Sequence, residues 1–191
     1  SEFIGSVAKE KGDKKTISFV GIPFAKPPVG DLRWKAPREL DGYPETFKAT
    51  TLPNRCMQVS NFYDSMDGIE GESIIGSEDC LYLNIYLSEK AYKSKEKLPV
   101  VFWIHGGGNT WGYSASNIFT SGDFISDHDV ILVTTNYRLG PFGWFACSGL
   151  NQDSENPLDS TANFGTLDII KSLEWVNKYI SFFNGDPENI T

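Results

Sequence analysis

The feature that most constrains the fold is an apolar run that leads directly into three consecutive glycines. Residues 99–104 read Pro-Val-Val-Phe-Trp-Ile, and His105 is followed by Gly106, Gly107 and Gly108. An uninterrupted apolar run of this kind suits a strand that is covered on both faces, as in a parallel sheet. Because glycine lacks a Cβ atom, the backbone can turn sharply there and present its N–H groups to a ligand.

Two interpretations of this glycine turn remain open from the residues alone. It is either a tight loop without chemistry or an oxyanion hole, whose fixed N–H donors stabilise the alkoxide formed during acyl transfer. A buried strand that enters His-Gly-Gly-Gly favours the oxyanion hole, because lipase- and esterase-type α/β hydrolases use this motif. We expect His105 to be a structural hydrogen-bonding residue and His128 to be exposed and inert.

Two other patterns predict a strand and a helix. Residues 80–87 alternate leucine or isoleucine with tyrosine or asparagine, which is typical of a strand. Residues 166–183 form the predicted helix, and Asn184-Gly185 supplies a plausible end for it. The apolar side chains at helical spacing are Ile169, Ile170, Leu173, Val176 and Ile180.

The rest of the chain completes the pattern of an α/β fold. Proline-rich, irregular stretches as long as residues 26–79 are unusual in a compact domain and indicate a functional segment. The other predicted elements are a strand at 16–24, a lysine-rich surface turn at 90–97, a crossover helix at 119–127, a strand at 130–133 and a further strand introduced by residues 188–191.

Composition excludes several classes of function. The formal net charge of -8 disfavours binding to a nucleic-acid backbone. No apolar run is long enough to cross a bilayer, so we expect no membrane span. The three cysteines and two histidines show no zinc-ligand spacing, and we expect neither a metal nor a cofactor.

Six groups of residues, in a fixed order over nearly the whole chain, carry recognisable motifs: 21–30 with 32–34, 78–85, 105–109, 136–140, 163–165 with 167–168, and 173–176 with 185–187. Together they resemble the N-terminal part of the type-B carboxylesterase, or cholinesterase-like, family of α/β hydrolases. The resemblance implies an α/β-hydrolase fold, in which residues 1–191 form the N-terminal part of one domain. Its sheet would be mixed and mostly parallel, with crossover helices, and would stop before the nucleophile strand.

The resemblance also implies roles for particular residues. The N–H groups of Gly107 and Gly108 would form the oxyanion hole together with a third, from the residue after the nucleophile. Cys56 and Cys80 would form a disulfide at the active-site rim, although two unpaired buried thiols remain the alternative. Cys147 would then be a buried packing residue.

Structural and pocket residues follow from the same resemblance. The expected salt bridges join Arg33 to Glu78 and Arg138 to Asp186, and both are assigned to architecture rather than catalysis. Trp111 and Asn109 are expected to line the substrate pocket, with a packing role as the alternative for Trp111. The loop between Cys56 and Cys80 contains no tryptophan, so choline esters are not the expected substrates.

The resemblance implies hydrolysis of a small carboxylic ester through an acyl-enzyme, but the sequence contains no Gly-x-Ser-x-Gly. We therefore expect the serine, its acid and its base to lie beyond residue 191, and the chain alone to be inactive without the C-terminal remainder of the protein. The competing hypotheses are a non-catalytic adhesion protein of the same superfamily and an artificial fragment. A disulfide would favour an extracytoplasmic location.

Overall fold

A computed structural model of the 191-residue chain describes residues 1–9, 14–69, 71–94, 96–117, 120, 125 and 127–191. The strands in this part are β1 (Glu2–Ile4), β2 (Ser6–Lys9), β3 (Lys15–Pro23), β4 (Thr46–Lys48), β5 (Gln58–Val59), β6 (Ile74–Ile75), β7 (Tyr82–Ser88), β8 (Leu98–Ile104), β9 (Ile131–Thr135) and β10 (Gly185–Ile190). The α-helices are α1 (Phe62–Met66), α2 (Glu89–Lys93), α3 (Gly140–Trp144) and α4 (Phe164–Tyr179).

Six of these strands form one mixed sheet in the order β10-β8-β9-β7-β3-β2. Strands β10, β8 and β9 run parallel, whereas β9-β7, β7-β3 and β3-β2 pair antiparallel. The parallel pairs place the carboxyl ends of β8 and β9 side by side, with Ile104 opposite Thr135. The predicted α/β fold is confirmed, and the strand that leads into the glycine turn lies inside the sheet.

The central strands β7 and β9 are buried on both faces, including their polar residues Asn84 and Thr134. Every residue of β9 is buried, and so is every residue of β7 after Tyr82. Strand β8 is buried near its start, at Leu98 and Val100, but Trp103 and Ile104 at its end are 39% and 42% exposed. The glycine turn therefore emerges from the core toward an open edge of the molecule.

Helix α4 begins at Phe164, two residues before the predicted start, and continues as a 3-10 turn over Ile180–Phe183. Of the apolar residues at helical spacing, Val176 and Ile180 are fully buried, whereas Ile170 and Leu173 are 48% and 40% exposed. The buried face also includes Asp168 and Ser172, which are polar and do not contribute to an apolar pattern. The left-handed conformation of Asn184 (φ 66°) ends the helical segment as expected.

The irregular segment 26–79 contains only short elements in the structure: a 3-10 turn at Gly30–Leu32, strands β4, β5 and β6, and helix α1. Short helix α2 replaces the start of the surface turn predicted at 90–97, and Ser88 caps it by accepting a hydrogen bond from Ala91 N at 3.0 Å. Most of the predicted crossover helix at 119–127 lies outside the described residues. The predicted burial of Cys147 is wrong: this free cysteine is exposed in the loop after α3. Within the described ranges, no helix is long and apolar enough to cross a membrane.

Candidate functional site

Strand β8 delivers the glycine turn to the carboxyl edge of the sheet, where open α/β sheets bind their ligands. Gly107 and Gly108 both have positive φ angles, of 122° and 59°, which side chains rarely adopt. A Cβ atom on Gly107 would also stand 1.9 Å from the carbonyl oxygen of Trp111. Glycine is therefore required at position 107 by both conformation and space.

Hydrogen bonds within the turn fix which way its peptide groups face. The Gly107 carbonyl accepts bonds from Thr110 N at 3.1 Å, Trp111 N at 3.3 Å and Thr110 Oγ1 at 3.0 Å. The peptide bond between Gly107 and Gly108 is trans, so the Gly108 N–H points away from that carbonyl. Among the described residues, neither the Gly107 N–H nor the Gly108 N–H donates to an acceptor. The turn thus keeps two neighbouring donors available to an outside acceptor.

His105 is a packing residue beneath the turn. It is 3% exposed, and its ring stacks on Tyr137 with centroids 4.5 Å apart. The Tyr137 hydroxyl donates to the His105 carbonyl at 2.9 Å, and Nδ1 lies 3.0 Å from the Gly106 carbonyl. Burial lowers the pKa of His105, which keeps the ring neutral near neutral pH. His128, by contrast, is exposed, as the sequence suggested.

A cavity of 410 Å³ adjoins the turn. Trp111 lines it together with Gly107. Asn109, with a left-handed φ of 61°, lines a neighbouring depression of 470 Å³ with Gly108 and Trp144. The substrate-pocket role of both residues stays a prediction. The remaining lining residues of the cavity are Asn61, Asp64, Asp67, Trp103, Gly106, Gly112, Tyr113 and Ser116.

The expected disulfide is present and closes a loop against this cavity. Cys56 and Cys80 are bonded, 24 residues apart in sequence, and both are buried. Asn136, just after β9, joins the base of the loop to the segment beyond the turn. Its Nδ2 donates to the carbonyls of Asn54 and Cys80 at 2.9 and 3.2 Å, and its Oδ1 accepts from Ser114 N at 2.9 Å.

The two expected salt bridges have different outcomes. Arg33 and Glu78 do pair, with the closest N–O distance at 2.5 Å, on a partly exposed surface. The expected pairing of Arg138 with Asp186 is wrong, because Arg138 instead binds Asp168 on helix α4. Two guanidinium contacts at 2.8 and 2.7 Å and the Arg138 N–H at 3.0 Å all reach that carboxylate. Asp168 is fully buried, whereas Asp186 stands on edge strand β10 and accepts from Glu188 N.

Sequence reasoning missed two residues at the Cys56 end of the disulfide loop that contact the limb following the turn, which comprises residues 111–114. Gln58 binds the backbone of Gly112, and the Arg55 guanidinium stacks over Tyr113 at 4.0 Å. Arg55 also pairs with Asp64 and Asp67 at 3.1 and 2.5 Å. No residue pattern marked the contacts to Gly112 and Tyr113, because they join positions more than fifty residues apart. In the described part of the chain, no cluster of His, Cys, Asp and Glu side chains suits a metal ion.

Known proteins match the chain along nearly its whole length. The model of the carboxylesterase family matches residues 2–191. A juvenile hormone esterase from Tribolium castaneum is 39% identical over 190 residues, which are 98% of this chain and 29% of that protein. A para-nitrobenzyl esterase from Bacillus subtilis is 39% identical over 171 residues, which are 90% of this chain and 32% of that protein.

A solved structure of a thermophilic PNB esterase superposes on 98% of this chain with a TM-score of 0.80 and 35% sequence identity. The match covers 35% of that esterase chain. The chain thus spans about a third of the length of the relatives it matches.

Proposed function

Because this chain belongs to the carboxylesterase family, we propose that it is the part of a serine esterase that supplies the oxyanion hole. Residues 1–191 would form the N-terminal part of a single α/β-hydrolase domain. The substrate is a small carboxylic ester, and the reaction passes through an acyl-enzyme. The nucleophilic serine, the histidine base and its carboxylate partner lie in the C-terminal remainder of the protein.

Gly107 and Gly108 act when the serine hydroxyl attacks the ester carbonyl. The base takes the hydroxyl proton, the new carbon–oxygen bond forms, and the carbonyl oxygen becomes an alkoxide. The two N–H groups donate to that oxygen, and the residue after the serine supplies a third donor. Each such donor contributes about 3–4 kcal/mol of transition-state stabilisation. As the intermediate collapses, the carbon–oxygen bond to the leaving group breaks, the protonated base returns its proton to the departing alcohol, and the acyl-enzyme remains.

The observation that carries this proposal is the asymmetry of hydrogen bonding in the turn. The Gly107 carbonyl accepts three internal bonds, while the N–H groups of Gly107 and Gly108 donate none among the described residues. Main-chain donors that are fixed in place but left unused are what an oxyanion hole requires, since they need no reorganisation when charge develops.

The adjoining cavity suits the apolar part of an ester. Its lining includes the rings of Trp103, Trp111 and Tyr113 close to Gly107. Pockets of this size, mostly apolar with a few polar groups, are typical of small-molecule sites. We propose that one side of the ester, the acyl or the alcohol group, occupies this cavity.

The 191 residues alone should be inactive. The sequence has no Gly-x-Ser-x-Gly, and of its two histidines His105 is buried against Tyr137. An oxyanion hole without a nucleophile offers electrostatic stabilisation but neither attack nor proton transfer. The disulfide is compatible with an oxidising compartment, and we propose an extracytoplasmic location for the protein.

Hydrolysis of p-nitrophenyl acetate tests this function. We expect saturable turnover when the chain is combined with the C-terminal remainder, and none from either piece alone. The control is the same mixture with the remainder's candidate serine replaced by alanine, which should be inactive. Saturable turnover by the 191 residues alone would overturn the proposal, and a mixture that assembles without turning over any ester would favour the non-catalytic binding protein.

A further inference from the structure

Gln58 makes an unusually complete contact with the backbone of Gly112, on the limb that returns from the glycine turn. Its Oε1 accepts from the Gly112 N–H at 2.9 Å, and its Nε2 donates to the Gly112 carbonyl at 2.8 Å. Nε2 also donates to the Cys56 carbonyl at 3.0 Å. Gln58 is only 6% exposed, so one buried amide joins the disulfided end of the loop to this limb.

The backbone of Gly112 packs against the residues that position the candidate oxyanion donors, Gly107 and Gly108. A Cβ atom at Gly112 would lie 2.0 Å from Nδ1 of His105, so its backbone packs directly on the imidazole beneath the turn. The carbonyl oxygen of the neighbouring Trp111 lies only 1.9 Å from the position that a Cβ atom on Gly107 would take. The Trp111 N–H also donates to the Gly107 carbonyl. A shift of Gly112 and Trp111 would therefore move the peptide that carries the Gly108 donor.

The residues just before Cys56 hold the limb in place immediately after Gly112. The Tyr113 hydroxyl donates to the Pro53 carbonyl at 2.8 Å, and the Arg55 guanidinium lies 4.0 Å from the Tyr113 ring centroid. Pro53, Arg55 and Gln58 all lie at or near the Cys56 end of the loop. Among these contacts, only that of Gln58 reaches a residue whose backbone touches the histidine under the turn.

We propose that Gln58 is a positioning residue for the oxyanion hole, a role that rests on the proposed function. It touches no reacting atom. It fixes the backbone N–H and C=O groups of Gly112, and Gly112 in turn holds Trp111 and His105 in place. Trp111 and His105 then set the direction of the Gly107 and Gly108 N–H groups. Loss of the amide would leave the partly buried N–H and C=O groups of Gly112 without their partners and would let the limb relax. Misplacement of donors lowers the rate of the chemical step more than it lowers substrate binding.

Kinetics of the assembled esterase test this role. Gln58→Met keeps the length of the side chain and removes both hydrogen bonds to Gly112. We expect a fall in kcat of about 10-fold or more, with KM changed less than about twofold, because small misplacements of catalytic groups are costly. The matched control is Gln152→Met at the chain's other glutamine, which is exposed, and its kcat should equal that of the wild type.

Gln58→Glu adds a pH signature, measured at a temperature well below the variant's melting temperature at each pH so that the folded fraction stays constant. As a carboxylate, the new side chain can accept from the Gly112 N–H but cannot donate to its carbonyl. When it is protonated, it regains the donor. The ratio of the variant's kcat to the wild-type kcat should therefore rise as the pH falls from mildly alkaline to mildly acidic. A ratio that is flat across this range would contradict the proposal.

Nuclear magnetic resonance of the 191-residue chain separates this proposal from the proposed function. In Gln58→Met we expect faster hydrogen exchange at the Gly112 amide and shifted Gly107 and Gly108 amide resonances, while Gln152→Met leaves all three unchanged. This measurement needs no activity, so an inactive wild-type assembly would reject the proposed function only. Unmoved Gly107 and Gly108 resonances, or an unchanged kcat in an active assembly, would overturn the role of Gln58.

Discussion

At the scale of single residues, burial separates the ion pairs of the two arginines, Arg33 and Arg138, that the resemblance assigned to architecture. The Arg138 and Asp168 side chains are 3% and 0% exposed, and three hydrogen bonds join the two residues. The Arg33 side chain is 43% exposed where it meets Glu78. A buried charge that loses its partner cannot be compensated by water, whereas an exposed one can.

Arg138→Ala should therefore lower the free energy of unfolding by about 3–5 kcal/mol, because it leaves Asp168 buried without its partner. Arg33→Ala should change it little. Thermal unfolding followed by circular dichroism measures both. Asp186→Ala is the control, because it tests the Arg138–Asp186 pairing that the resemblance implies. Its melting temperature should stay close to that of the wild type. A drop as large as that of Arg138→Ala would contradict the Arg138–Asp168 assignment.

Gly107→Ala should destabilise the chain by about 3 kcal/mol, from left-handed backbone strain together with overpacking against Trp111. Gly106→Ala is the matched variant in the same turn, since a Cβ there meets nothing within 4 Å and its φ is not positive. Chemical denaturation of both proteins checks the difference. Equal midpoints would show that the turn adapts and does not require glycine at position 107.

At the scale of elements, the described part of the disulfide loop contains only the short elements β5, α1 and β6, and its Gln58 contacts Gly112, just after the glycine turn. Replacing both Cys56 and Cys80 by serine should cost about 3–4 kcal/mol, from the larger conformational entropy of the unfolded chain. The melting temperature with and without the substitutions measures this. Cys147→Ser is the control, because that thiol is exposed and unbonded. This variant keeps the disulfide, so a reductant should lower its melting temperature as much as it lowers that of the wild type.

The strands and the helix differ in how far the sequence predicts them. Strands β7, β8 and β9 were predictable because their apolar runs are continuous or strictly alternating. Helix α4 was predictable in position, and its apolar spacing marks the buried Val176 and Ile180. It does not mark Asp168 and Ser172, which are buried through polar contacts, because periodicity measures apolarity alone.

The residues of the candidate site also differ in how far the sequence predicts them. Gly107 and Gly108 are contiguous with a buried strand, and a local pattern suffices to find them. Gln58 and Arg55 act through contacts to Gly112 and Tyr113, more than fifty residues away, and nothing in their local sequence marks them. Asn109 adjoins the predicted turn in sequence but faces another depression, because the backbone reverses direction there.

At the scale of the whole molecule, the sheet topology explains where the site lies. The three parallel strands β10, β8 and β9 bring their carboxyl ends to one edge, and the antiparallel strands β7, β3 and β2 extend the sheet on the other side. The glycine turn and Asn136 follow β8 and β9 at that edge. The disulfide loop reaches the same edge from the start of β7, which is why one end of the molecule carries all the candidate site residues.

The pairing of β3 with β7 also governs the order in which the molecule can assemble. These neighbours are separated in sequence by the whole of residues 24–81, so the chain must close a long loop before the pair forms. Sheets built on such distant pairings fold slowly. The Cys56–Cys80 bond removes 24 residues from that loop. Oxidation early in biosynthesis would thus shorten the search by which the sheet nucleates, and the disulfide acts on the rate of folding as well as on its end point.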